Sequence, residues 1–221
     1  FYTWAGPEIA VASTKAYTTQ LICMYLIGLY MGSTKGTIEK DYYDKVLGEL
    51  KLLPDKVEAL LGQEDAIAAL AKKYYSKEQV FFIGRGLDSG VSYEGSLKLK
   101  EISYINSFAI AAGELKHGTI ALMEADTLVF ALATQDFLYE KMVSNVEEIK
   151  ARGARVIGVA KEGRKEIESV ADEVIYVPYC IDEVSPVLAV IPLQIFAYYV
   201  AKERECNIDK PKNLAKSVTV E

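Results

Sequence analysis

Histidine occurs once in this chain of 221 residues, as His117, and cysteine three times, as Cys23, Cys180 and Cys206. No two cysteines form a CxxC pair, so a zinc site of the usual Cys/His kind has no ligand set to draw on. Three widely separated thiols fit a reducing compartment and predict a cytoplasmic protein. Basic residues are also short. Lys and Arg number 25 against 31 Asp and Glu, a net charge of −6. That balance lacks the basic face that nucleic acid needs, yet a small anionic ligand requires only a few local donors. The apolar run Leu21–Met31 is too short to span a bilayer, and it lacks the basic flank and the position of a signal peptide. It reads as a helix buried in a core or at a subunit interface, and no membrane partner is expected. Finally, no methionine stands at the start. Phe1 does, which predicts a piece of a longer chain.

What is present is an apolar fraction of 51%, enough for a sizeable core in one domain or one domain plus part of another. Residues 1–36 read as a loop and a helix. Ser13 or Thr14 is positioned to cap it, and Gly32, Ser33 and Gly36 to break it after about Met31. Residues 38–75 have a helical pattern interrupted by Pro54 and Gly62. The rhythm then changes. Strands are expected over 79–83, 107–111, 127–133, 155–160 and 173–178, with helices over 89–104, up to about 152, and over 185–205. Short strands rich in Val, Ile and Phe that alternate with helices predict an α/β fold. The expected form is a doubly wound parallel sheet of about five strands with helices on both faces. In such folds ligands bind at the carboxyl ends of the strands. Pro211 blocks continuation of the last helix. If the following residues are extended, Leu214, Lys216, Val218 and Val220 share one face.

Few residues could carry chemistry. Glu94, Lys98 and Glu101 are spaced i, i+4, i+7 and lie on one helical face flanked by Leu97, Ile102 and Ile105. A solvated salt-bridge ladder accounts for that spacing and is favoured by spacing alone. The alternative is an acid/base site at the sheet's carboxyl edge, where Lys98 holds Glu101 ionised as a proton acceptor. His117 lies between glycines in a loop. A lone histidine is usually structural or exposed, but any imidazole proton shuttle here must use this one. Lys216 reads as an exposed tail lysine, or, given apolar company, as a desolvated amine able to attack a carbonyl. The turn Gly84–Arg85–Gly86 opens a helix after a strand, but Ser89 stands where a dinucleotide fingerprint has its third glycine.

Several stretches resemble the isomerase part of the glutamine–fructose-6-phosphate aminotransferase family. Residues 5–15 (AGPEIAVASTK) resemble its first sugar-isomerase (SIS) domain. Residues 94–104 (EGSLKLKEISY) and 112–118 (AGELKHG) resemble its second. Residues 211–221 (PKNLAKSVTVE) are similar to its C-terminal tail almost residue for residue. The resemblance implies an SIS fold, with residues 1–36 the remnant of a first SIS domain, 37–206 a second, and 207–221 an active-site tail. It implies roles as well. Glu101 is the base moving a proton between C1 and C2 of an open-chain sugar, and Lys98 assists it. His117 helps open the ring from across a dimer interface, and Lys216 forms an imine with the C2 carbonyl of fructose 6-phosphate. Val11, Ser13 and Ala215 contact the sugar. The resemblance implies no metal or other cofactor. The partners it implies are fructose 6-phosphate or glucosamine 6-phosphate, a glutaminase domain of the full-length chain, and a second copy in a homodimer. The glutaminase domain and the Ser/Thr-rich loop that grips the sugar phosphate are both missing from these residues.

Two other functions stay open at this stage. One is a non-catalytic sugar-phosphate-binding SIS module, which needs neither Glu101 nor Lys216. The other is a related SIS amino-sugar isomerase or deaminase, against which the tail sequence argues. Fold alone does not choose among them.

Overall fold

The computed structural model of the chain describes residues 1–216. Three helices come first: α1 (Lys15–Lys35), α2 (Lys40–Leu61) and α3 (Glu64–Tyr74). An alternating unit follows, β1 (Gln79–Gly84), α4 (Leu87–Ser103), β2 (Asn106–Ala111), β3 (Leu128–Ala133), α5 (Tyr139–Lys150), β4 (Arg155–Lys161), β5 (Glu173–Val177) and α6 (Ser185–Glu203). The five strands form one sheet in the order β2-β1-β3-β4-β5, and every pairing is parallel. The expected doubly wound α/β architecture is therefore present.

The strands are apolar throughout because both faces of the sheet are covered, as a parallel sheet requires. Alternation still sorts their side chains. Val80, Phe82, Phe130, Leu132, Ile157 and Val159 face the core shared with α2, α3, α4 and α6. Phe81, Ile83, Val129, Ala131 and Val156 face the core under α5. The α4 helix comes close to its neighbours at Gly95, where an added Cβ would lie 2.5 Å from Leu193 and 3.1 Å from the Phe82 ring.

The ends of the helices differ from expectation in two places. Neither Ser13 nor Thr14 caps α1 through its side chain. The Glu8 carboxylate folds back and accepts from the Thr14 and Ala16 N–H groups, each at 3.1 Å. The same helix runs past Gly32 to Lys35 and stops at Gly36, which takes the left-handed conformation (φ 64°). Likewise α2 continues through Pro54 and ends before Gly62, held by buried Leu50, Leu53 and Leu60. The α6 helix has the length and apolarity of a membrane span, but most of it is buried in the core. Its apolar surround is protein.

Candidate active site

The α4 helix places Glu94, Lys98 and Glu101 on one face. The ladder they form is not solvated: side-chain exposure is 11% for Glu94, 5% for Lys98 and 22% for Glu101. Lys98 Nζ lies 2.6 Å from Glu101 Oε2 and 3.4 Å from Glu94 Oε1. Both of those oxygens are sealed from solvent and accept no hydrogen bond of good geometry, so their attraction to the lysine is Coulombic. Burial raises the Glu94 pKa; Lys98 pulls it back and the Glu101 charge pushes it up again. Two carboxylates thus share one buried cation.

The position of this cluster corrects one expectation. Lys98 and Glu101 are not at the carboxyl edge of the sheet. Helix α4 starts at that edge with Leu87 and runs back, so Glu101 lies about 21 Å further along its axis. The cluster lies instead where the far half of α4 meets α6, residues 8–14 and the start of the C-terminal tail. A cavity of about 180 Å³ marks the junction, lined by Ala12, Thr14, Lys98, Gln194, Tyr198 and Asp209 among others.

Residues 8–13 and the tail are tied together. The Val11 N–H donates to the Asp209 carbonyl at 3.0 Å, and Ser13 Oγ donates to the Glu8 carboxylate at 3.5 Å. Lys216 Nζ donates to the Glu8 carbonyl. Burial opposes ionisation of Glu8, but the Ala16 and Thr14 N–H groups, the Ser13 hydroxyl and the Lys216 charge outweigh it and hold its pKa below the ordinary value. Val11, Ser13 and Lys216 therefore share one cluster, with Ala215 exposed beside it. Lys216 is itself exposed, which fits the exposed-tail reading and not the desolvated-amine alternative. The chain at 212–213 turns rather than running extended; Val218 and Val220 lie outside the described residues.

At the carboxyl ends of β1 and β3, where a ligand was expected, the space beside α4 is filled by the protein. Gly84 permits the tight exit from β1, since a Cβ there would meet the Asp88 backbone at 2.5 Å. Asp88 is fully buried in the first turn of α4 and accepts from Thr134 N at 2.7 Å and Thr134 Oγ1 at 2.5 Å. Thr134 Oγ1 and Gln135 Nε2 in turn reach Ser185 Oγ at 3.0 and 2.7 Å. Burial lifts the Asp88 pKa to about 6, against the pull of the Thr134 bonds. A folded-state value above the unfolded 3.8 means the native state binds the extra proton, so this group's contribution to stability falls as pH rises from 4 to 6. Asp88→Asn is expected to remove that slope. Its stability relative to the parent should grow by about 3 kcal/mol across the window, read by urea unfolding at pH 4 and pH 7. A constant difference would contradict the assignment. A cavity of about 560 Å³ lies near the same edge, beside Asp136, Tyr139, Arg164 and Glu166. None of the residues singled out in the sequence lines it, and Arg164 there is paired with Asp136 at 2.7 Å.

His117 stands apart. It is exposed at the end of a 3₁₀ turn beyond the carboxyl end of β2, whereas Glu101 precedes the start of that strand. The six residues of β2 separate the two by about 20 Å, so one chain does not bring them together.

The SIS-domain family model matches residues 73–204. The chain belongs to the SIS-domain family. It is also 60% identical, over 220 residues, to a protein of Caldanaerobacter subterraneus subsp. tengcongensis named glutamine–fructose-6-phosphate aminotransferase (isomerizing). The alignment covers 100% of this chain and 36% of that relative. A Methanosarcina mazei protein of the same name is 47% identical, with the same coverage. The chain thus spans about a third of the length of these relatives. Among solved structures, the C-terminal domain of glucosamine-fructose-6-phosphate aminotransferase from Francisella tularensis matches with a TM-score of 0.88 and 36% identity, covering 93% of this chain and 58% of that one. Tagatose-6-phosphate ketose/aldose isomerase from Escherichia coli matches with a TM-score of 0.71 at 18% identity, covering 94% of this chain and 55% of that one, a likeness of fold alone.

Three residues around this cluster escaped the sequence reading. Glu8 organises the segment that holds Ser13 and Lys216. Gln194 borders the cavity beside Lys98, and its Nε2 is buried without a partner. The signal for it was present: one amide inside the apolar run of α6 needs a reason. Tyr104 touches the tail across 108 positions of sequence, which no local pattern reveals.

Proposed function

We propose that the chain is the sugar-isomerising end of a glutamine–fructose-6-phosphate aminotransferase, which makes glucosamine 6-phosphate from fructose 6-phosphate and glutamine-derived ammonia. In this reading residues 1–36 end a first SIS domain, 37–206 form the second, and 207–221 are the active-site tail. The observation that carries the reading is the buried Lys98–Glu101 pair at 2.6 Å, set against the segment that holds Val11, Ser13 and Lys216. A module that only bound sugar phosphate would have no use for a carboxylate set against a lysine in a largely buried cluster.

The chemistry runs as follows. The Lys216 amine attacks the C2 carbonyl of the open-chain sugar, and water leaves as the imine forms. Val11, Ser13 and Ala215 hold the sugar. Ammonia adds to the imine and the lysine amine departs, leaving an imine of ammonia at C2. Either C=N, the lysine's or ammonia's, makes the C1 proton acidic enough for a carboxylate. Glu101 takes it, giving the enamine, and the proton returns to C2. C1 becomes the aldehyde and C2 carries the amino group. Lys98, 2.6 Å from Glu101, assists the transfer. His117, out of reach within its own chain, serves ring opening in the partner subunit of a homodimer. Ammonia comes from the glutaminase domain of the full-length protein. No step asks for a metal or cofactor, and three free cysteines fit a cytoplasmic setting.

The test is to incubate the full-length protein with fructose 6-phosphate in deuterium oxide and follow C1 by NMR, then add an ammonium salt. Deuterium at C1 followed by glucosamine 6-phosphate is the expected result. Saturable binding without exchange would overturn it in favour of a binding module; exchange without amino sugar would point to a different isomerase.

A further inference from the structure

Tyr104 ends α4 in the left-handed conformation, φ 62°, with its N–H on the Lys100 carbonyl at 3.2 Å. Glycine is the residue that normally occupies such a helix terminus, because a Cβ is strained there. A tyrosine held in that conformation directs attention to its side chain, and the side chain is engaged. Its Oη accepts the Lys212 N–H at 2.8 Å, and the Lys212 ammonium lies 4.3 Å from its ring centroid. Backbone and side chain of one tail residue thus grip the same phenol, which stands three positions beyond Glu101.

We propose that Tyr104 is a clasp that positions the tail lysine, Lys216, over the helix that carries Lys98 and Glu101. The inference rests on the imine role given to Lys216 above. Tail residues already have one backbone tether, Val11 N–H to the Asp209 carbonyl, and Pro211 is buried. From Asp209 to Lys216 is seven residues of chain; from Lys212 it is four, a reach of about 14 Å at most. Local concentration of a tethered group falls roughly as the −3/2 power of tether length, so shortening seven residues to four is worth about 2.3-fold. The fixed direction of approach adds to that. Loss of the clasp is expected to slow imine formation about threefold to tenfold. Tyr104 touches no reacting atom in this account; it is a positioning residue.

Tyr104→Gly separates this role from a structural one. It removes the phenol and relieves the left-handed strain, so the helix end should be no less stable. Tyr104→Phe keeps the ring under the Lys212 ammonium and loses only the hydroxyl acceptor. In the full-length protein, hydrogen exchange in the peptide covering 207–216 and borohydride trapping of fructose 6-phosphate on Lys216 are measured together. The Gly variant should exchange the Lys212 amide at least about tenfold faster and trap about threefold to tenfold more slowly. Its thermal midpoint should be unlowered and its half-saturating sugar concentration within about twofold of the parent. The Phe variant should fall between. Unchanged exchange in the Gly variant would overturn the clasp, and faster exchange with unchanged trapping would overturn its positioning role. No trapping in the parent protein would overturn the proposed function and this role with it, while exchange would still decide whether the clasp exists.

Discussion

Glu101→Gln is expected to slow deuterium entry at C1 of fructose 6-phosphate by about 10²–10⁴-fold, the usual worth of a positioned general base. Gln has nearly the same shape and can still place an oxygen near Lys98, but it cannot take a proton. The fold should survive. Glu94, Lys98 and Glu101 together carry one excess negative charge in a largely buried cluster; the substitution neutralises that excess. The thermal midpoint of the variant should therefore equal or exceed that of the parent. Exchange within about threefold of the parent, with sugar binding intact, would remove Glu101 from the role of base.

Lys98→Met should cost stability instead. Methionine fills the space of the lysine stem, but Glu94 and Glu101 are left side by side without their cation. Breaking a buried ion pair from one side costs about 3–5 kcal/mol, and the 5% exposure of Lys98 leaves little solvent to soften it. The sign of the pH dependence follows from Glu94, whose pKa burial already raises while Lys98 is present. Without the lysine the Glu94 value rises further, so the native state of the variant holds a proton that the unfolded chain lacks. Its deficit should be full at pH 7 and shrink as pH falls through the raised Glu94 value toward the ordinary carboxylate range. Urea unfolding at pH 7 and pH 5 measures both. Adding Glu94→Gln to the variant should recover part of the loss, and a Lys98→Met protein as stable as its parent at pH 7 would contradict the burial argument.

How much of this was readable in the sequence depends on how local the cause is. Runs such as Val80–Ile83 and Val129–Leu132 are apolar at every position, which only a sheet covered on both faces explains; five strands and their boundaries followed to within a residue or so. Shared helical faces were readable too, and Glu94, Lys98 and Glu101 do meet. Their depth was not. Periodicity gives the direction of a side chain and says nothing of what covers it, so a buried triad and a solvated ladder look alike. The misplaced sheet edge had a simpler remedy, since a helix that begins near residue 87 has carried Glu101 to its far end. Contacts made by chain returning from a distance left no local mark. Glu8 caps α1 from outside it, and Tyr104 holds Lys212.

The central claim is that Lys216 and Glu101 serve one reaction on one sugar phosphate. Its most direct test is to mix the full-length protein with fructose 6-phosphate, reduce with borohydride, digest, and weigh the peptide that contains Lys216. The account predicts the mass of a reduced sugar-phosphate adduct on that lysine, still formed in the Glu101→Gln variant, because imine formation precedes the C1 proton transfer. An unmodified Lys216 peptide, with sugar binding confirmed in the same sample, would contradict it.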